Sequence, residues 1–187
     1  IDNYIITELD LKPQKIESIK HQHNYVKLHF DFIFEENKLY TLNINNVTNC
    51  RDIPLEDEIF VQFGIPSSAN RNDVIINEIL FNPINPGVDY LELYNRSDKV
   101  IDLKELTFGT IKISFPNPAD TTLKDIINES RYLLPHSYTL LSTDSEIVKY
   151  QYDIKEKDNN NFIEVISFPS LPNTEGRVVI CDKASAI

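Results

Sequence analysis

The chain has 187 residues and a formal net charge of −11, with 10 Phe and 9 Tyr but neither Trp nor Met. Its length suits one large or two small domains, and its acidic balance argues against a nucleic-acid surface, which needs clustered Lys and Arg. No run reaches the roughly 18 apolar residues of a membrane-spanning helix. With no initiator Met and no basic and apolar leader at its start, the expectation is a piece excised from a longer precursor.

The first stretch, residues 1–67, reads as a unit of strands. Apolar runs at Tyr4–Leu9, Lys15–Ile19, Tyr25–Phe30, Leu39–Ile44 and Ile59–Phe63 are separated by charged or Asn-rich turns. Val26, Leu28 and Phe30 alternate with Tyr25, Lys27 and His29, and Tyr40, Leu42 and Ile44 alternate with Leu39, Thr41 and Asn43. A period of two is the mark of strands with one buried face, and this spacing suits a sandwich. Gly64 to Asp73 is small, polar and interrupted by Pro66, so a linker is placed at 68–73.

Val74–Phe81 is a β-branched run broken by Asn82-Pro-Ile-Asn-Pro-Gly87, because Pro lacks the amide donor and Gly accepts positive φ. Leu91 and Leu93 then alternate with Tyr90, Glu92 and Tyr94. Asn95 to Asp98 is a polar turn, and Ile101 and Leu103 resume the alternation. Phe108–Phe115 reads as another strand. Pro116–Thr122 reads as a loop feeding a short helix through Asn128, with Leu123, Ile126 and Ile127 on one face. Ser142 or Thr143 is placed to cap a short helix at Asp144–Tyr150. Lys155–Asn161 is a charged loop tip, and Phe162–Phe168 and Arg177–Asp182 are the last strands.

The stretch INEILFNP, a glycine, then DYLELYNRSDKVIDL resembles the opening of the lamin tail domain family in its bacterial form. Asn77, Glu78, Asn82, Pro83, Gly87, Asp89, Glu92, Tyr94, Asn95, Ser97, Asp102 and Leu103 fall on that pattern. Upstream, LHFDFIFEENKLYTLNINNVTNC resembles the closing half of a bacterial immunoglobulin-like domain, through Leu28, Phe30, Tyr40, Leu42, Ile44, Val47 and Cys50. There Asn49 replaces the usual Asp, and Asp52-Ile53 stands where Gly-Asn is common. The resemblances imply an all-β chain of two consecutive immunoglobulin-like β-sandwich units. The first spans 1–67 and lacks early strands; the second, 74–187, is lamin-tail-like with one or two short helices, and Leu133–Thr143 matches one of that family's strands. They imply a non-catalytic interaction or architectural module.

The polar residues of most interest are Glu78, Asp89 and Glu92. Brought together, they would make an oxygen cluster for a hard cation such as calcium. The preferred reading is structural: Glu92 and Asn95 hydrogen-bond loop amides and hold the Pro-Gly turn, since nothing resembles EF-hand spacing. A carboxylate pair for glycoside hydrolysis is weaker still, for want of a pocket. His21, His23 and His29 cluster in the first stretch, but no third ligand or pairing carboxylate is in motif, so exposed turn histidines are preferred. His136 sits in a turn and reads as solvated. Cys50 and Cys181 are expected in different modules, unpaired, buried and inert, with no zinc spacing. No Gly-x-Ser-x-Gly elbow, P-loop or His-Glu-x-x-His occurs. Asn46-Val-Thr48, Asn95-Arg-Ser97 and Asn128-Glu-Ser130 are formal glycosylation sequons.

The functional expectation is therefore no enzyme, no cofactor and no metal, but a module of a secreted or cell-surface bacterial protein used in adhesion, assembly or spacing. Its partner is a protein or glycan at the cell surface. The competing expectation is an accessory domain of an extracellular hydrolase, binding polysaccharide or sitting beside a nuclease or phosphatase. The loops Pro116–Thr122 and Lys155–Asn161 are candidate binding tips. A further expectation is that the second unit is truncated after Arg177–Asp182, leaving an exposed edge prone to self-association.

Overall fold

The computed structural model describes every residue except 1, 20–21, 50, 55–56, 113–119, 155–160, 170, 172–175 and 184–187, and at 22–24 the backbone alone. The described chain is all-β, with one α-helix of seven residues. It divides into two units, Ile1–Ile65 and Pro66–Ile187.

In the first unit, strands β1 (Tyr4–Ile6), β4 (Tyr40–Ile44) and β5 (Ile59–Phe63) form an antiparallel sheet with β4 in the centre. A separate antiparallel hairpin pairs β2 (Lys15–Ile19) with β3 (Gln22–His29). The strand expected to run to Leu9 stops at Ile6, and Thr7–Leu9 form a 3-10 turn ending on Asp10 at φ 46. The turn stays tied to β4: the Thr7 hydroxyl donates to the Thr41 carbonyl at 2.9 Å, and the Thr41 amide donates to Glu8 Oε2 at 2.9 Å. These bonds satisfy edge groups that β1 leaves open, which favours the turn over a longer strand. Register puts Tyr40, Leu42 and Ile44 opposite Phe63, Val61 and Ile59 on one face. That face is covered at one end only. Ile6 and Tyr40 are fully buried. Phe34 packs edge-on against Tyr40 at 4.9 Å and Phe63 at 5.3 Å, the T-shaped arrangement that aromatic quadrupoles favour.

The second unit has two larger sheets. One has the order β13 (Phe162–Glu164), β12 (Tyr138–Ser142), β7 (Tyr90–Asn95), β6 (Val74–Leu80). The other has the order β10 (Asp120–Asp125), β9 (Leu106–Lys112), β14 (Arg177–Asp182). A short pair joins β8 (Ile101–Asp102) to β11 (Tyr132–Leu133). The strands β12 and β13 run parallel, and parallel neighbours need a crossover. Helix α1 (Ser145–Gln151) lies in that crossover. Its cap is Asp144, whose Oδ1 accepts from the Ile147 amide at 3.0 Å, rather than Ser142 or Thr143. Ser142 instead ends β12, fully buried. Glu164 on β13 accepts from both the Ser145 amide and hydroxyl, fastening the helix start to the sheet.

Leu91 and Leu93 point inward as the alternation predicts, and meet Leu106, Phe108, Leu141 and Ile163 in one core cluster. Burying each such side chain contributes about 1.5–3 kcal/mol relative to leaving it exposed. The helix expected through Asn128 is absent: Asp120–Asp125 is strand β10, in register with β9 from Asp120 opposite Lys112 to Asp125 opposite Thr107. Ile126 is buried just past its end. The apolar spacing of Leu123, Ile126 and Ile127 suited a helix, but tertiary strand pairing overrides local propensity. The two strands approach so closely at Gly109 that a Cβ there would lie 1.8 Å from the Thr122 carbonyl oxygen. Strand β14 pairs with β9 on one side; among the described residues no strand pairs its other side.

Candidate functional site

Glu78 and Glu92 face each other across β6 and β7, next to a bulge between Ile76 and Glu78. Like charges directly opposite destabilise a sheet, and each carboxylate here has its own donor. The Tyr90 hydroxyl donates to Glu78 Oε1 at 2.6 Å, and Asn77 Nδ2 donates to Glu92 Oε1 at 2.6 Å. Burial first, then hydrogen bonding with Glu78 and Tyr152, pushes the Tyr90 phenol far above its usual range, so it stays a protonated donor. Asp89 is half-buried, and burial raises its carboxyl. N–H and O–H groups thus occupy oxygens that a cation would need. Among the described residues no group of three or more His, Cys, Asp or Glu side chains is placed to hold a metal ion.

Of the expected structural roles, one is present: Asn95 accepts from a loop backbone amide, that of Ser97. The partner of Glu92 is a side-chain amide, not a loop backbone amide. The Pro-Gly turn is held by the Gly87 amide, which donates to Ile84 O at 2.7 Å, and by Gln151 Nε2 from the helix, which donates to the same oxygen at 3.0 Å. Asn95 is a fully buried hub. Its Nδ2 lies within hydrogen-bond distance of the carbonyls of Lys99, Leu133 and Leu134, at 2.7, 3.1 and 3.0 Å, and its Oδ1 accepts from the Ser97 amide and hydroxyl. One side chain therefore ties β7, the following turn and the 132–134 segment together. It also closes Asn95-Arg-Ser97 as a glycosylation site, because that nitrogen is enclosed. The signal was in the sequence: Asn followed two residues later by Ser is an Asx-turn pattern.

His29 does have a carboxylate partner, which spacing alone did not reveal. Its Nε2 lies 2.8 Å from Glu17 Oε2 across the β2–β3 hairpin. Hydrogen bonds from Lys15 and then His29 hold the Glu17 carboxyl down at about 2. His21, the His23 side chain and Cys50 lie outside the described residues, as do 116–119 and 155–160 of the two candidate binding tips; Asp120–Thr122 belong to β10. His136, at φ 53, pairs with Asp98 at 2.8 Å in an exposed turn. Cys181 is a free, half-buried thiol whose burial pushes its pKa up, the direction that suppresses the nucleophilic thiolate.

Among the described residues several surfaces are open to a partner. A cleft of about 460 Å³ in the second unit is floored by Val74, Ile76, Leu106 and Ile180 and rimmed by Arg71 and Asp182. On the same face of the four-stranded sheet as Glu92, Tyr94 stacks on Tyr138 with ring centroids 4.5 Å apart. In the first unit, β5 is an edge strand with Ile59 42% exposed, Phe60 58% and Val61 43%. Among the described residues no strand pairs its outer side. Natural edges are usually blunted by Lys, Pro or a bulge; IFVQF has none of these. The run itself was legible, but it reads equally well as an interior strand. No protein-family model, curated protein or solved structure matches the chain.

Proposed function

We propose that this chain is a non-catalytic interaction module of a secreted or cell-surface bacterial protein, with the outer edge of β5 as its docking surface. The observation that carries this reading is the β5 edge itself: a strand with one side unpaired among the described residues and apolar residues on both faces. Such an edge offers backbone N–H and C=O groups to an added strand, which supplies affinity, while alternate side chains supply selectivity. The residue patterns of the two units support a pair of immunoglobulin-like units, the second lamin-tail-like. The test is hydrogen exchange at 59–63 with and without extended peptides offered as an array. Peptides that bind should slow exchange at β5 and leave β4 unchanged. Binding that protects other strands and not β5 would remove this reading.

A second reading, an accessory polysaccharide-binding domain of an extracellular hydrolase, is favoured by one observation. The Tyr94–Tyr138 stack lies beside the Asn77–Glu92 pair on one open sheet face, and aromatic faces with adjacent polar groups suit sugar rings. Retention on insoluble cellulose or chitin, lost in Tyr138→Ala, is its expected signature.

A further inference from the structure

We infer that the strand accepted by β5 belongs to a different protein and is apolar at alternate positions with Lys or Arg at both ends. This inference rests on the docking-edge reading of β5 and names its partner. The strand carries no charge of its own: Ile59, Phe60, Val61, Gln62 and Phe63. Acidic residues stand at both of its ends. Asp57 and Glu58 precede it and are exposed. Exposed Glu36 is bridged to Ile65, two residues past its other end. Lys38, the nearby cation, is already paired with Glu35 at 2.9 Å.

This arrangement disfavours a second copy. The antiparallel register that keeps all five residues paired centres on Val61, so Asp57 of one copy faces Ile65 of the other. The Glu36 bridged to that Ile65 then stands one strand away from Asp57 at both ends of the pairing, about 10 Å across two strand spacings, and like charges at that range repel at low salt and suppress wrong partners. A strand with basic ends converts both clashes into attraction. Between those ends, Ile59 and Val61 on one face and Phe60 on the other need apolar cross-strand neighbours. The net charge of −11 adds long-range attraction for a basic partner and repulsion for a copy of itself.

The test uses the full chain and labelled synthetic peptides read by fluorescence anisotropy. The peptide Lys-Val-Thr-Val-Thr-Val-Lys is expected to bind about tenfold or more tightly than its Glu-ended counterpart. Its binding should weaken as salt rises from about 0.05 M to about 0.5 M. The double variant Asp57→Lys with Glu58→Lys, at exposed positions, should reduce or invert the preference. A Lys-ended peptide N-methylated along its pairing edge should not bind, because it cannot donate to β5. Equal binding of the Lys- and Glu-ended peptides, with N-methylation still abolishing both, would overturn the basic partner and leave the docking edge standing. Unchanged binding of the N-methylated peptide would overturn both. Failure of every peptide would overturn the basic partner, and exchange at 59–63 as slow as in β4 would then remove the docking edge too. A dimer by sedimentation equilibrium that Phe60→Lys dissociates would give the edge to a second copy and overturn the inference.

Discussion

The two units solve the same problem to different extents. In the second, strands from two sheets enclose Leu91, Leu93, Phe108, Leu141 and Ile163 almost completely. In the first, only Ile6 and Tyr40 among the hydrophobic residues described are fully enclosed, and Ile59 and Val61 on the same sheet face stay over a third exposed. Both units have alternating strands of similar composition. The difference is a second layer: the face of β4 and β5 is capped by Phe34 at one end and open toward Ile59. Alternation therefore specifies which side chains seek burial, while the number of layers decides whether they find it.

The sharpest way to break the comparison is at Phe108, fully buried and edge-on to Phe168 at 5.3 Å. Phe108→Ala should cost about 3–5 kcal/mol, as expected for emptying an aromatic site in a closed core. Urea denaturation followed through amides of β7 and β9 would measure it. A cost below about 1 kcal/mol would mean that the second unit's core is as loose as the first's.

Asn95→Ala comes next. It removes the donor shared by the backbone carbonyls of Lys99, Leu133 and Leu134, of which Leu134 O keeps the Ser137 amide and hydroxyl, and an unsatisfied buried group costs about 1–3 kcal/mol. The expected loss is about 3 kcal/mol, toward the top of that range. Asn95→Asp should do no better, since a carboxylate cannot donate. A melting curve equal to wild type for Asn95→Asp would show that the carbonyls find other donors.

Phe34→Ala sharpens the contrast from the other side. Phe34 is half-buried and touches Phe30, Phe32, Tyr40 and Phe63. Its site is partly open, so the loss should be smaller than at Phe108, about 2 kcal/mol, below the range for emptying a closed aromatic site. Hydrogen exchange of the β4 amides would report it. A loss equal to that of Phe108→Ala would erase the distinction between the two cores.

What could be read in advance follows the range of the forces involved. Lys15–Ile19, Ile59–Phe63 and Arg177–Asp182 are strands with the expected ends, because local alternation and flanking turns define them. β10 was not legible, since its pairing with β9 is a tertiary contact and Leu123, Ile126 and Ile127 also fit a helical stripe. Alternation puts Tyr90 on the face opposite Leu91 and Leu93, but not its burial there, which comes with the Tyr152 ring 6.0 Å away from beyond α1. The edge position of β5 depends on strand order, which no local pattern encodes. Glu78, Asp89 and Glu92 could be singled out by residue type, but Tyr90 and Asn77, the donors to Glu78 and Glu92, emerge only from the register and its bulge.

The smallest expected effect separates the units by the sign of their response to pH. Glu17 in the first unit has a folded pKa of about 2, below its ordinary value of 4.5, through Lys15 and then His29. Its contribution is present above pH 4.5 and is lost as pH falls toward 2, because the unfolded chain takes up the proton first. Asp89 in the second unit is shifted the other way, above its ordinary value of 3.8, by burial. Its contribution is present in acid, below pH 3.8, and is lost as pH rises through the raised folded pKa, where the half-buried carboxylate must ionise. At pH 7 the charged Asp89 therefore opposes folding. Asp89→Asn, which keeps the shape and removes the charge, should raise the melting temperature at pH 7 and leave it nearly unchanged at pH 3. Glu17→Gln should lower stability at pH 7 only slightly, since the pair is exposed and screened. Melting curves of both variants at the two pH values are the measurement. An Asp89→Asn variant less stable than wild type at pH 7 would show that the carboxylate has a favourable partner and that burial does not govern its energetics.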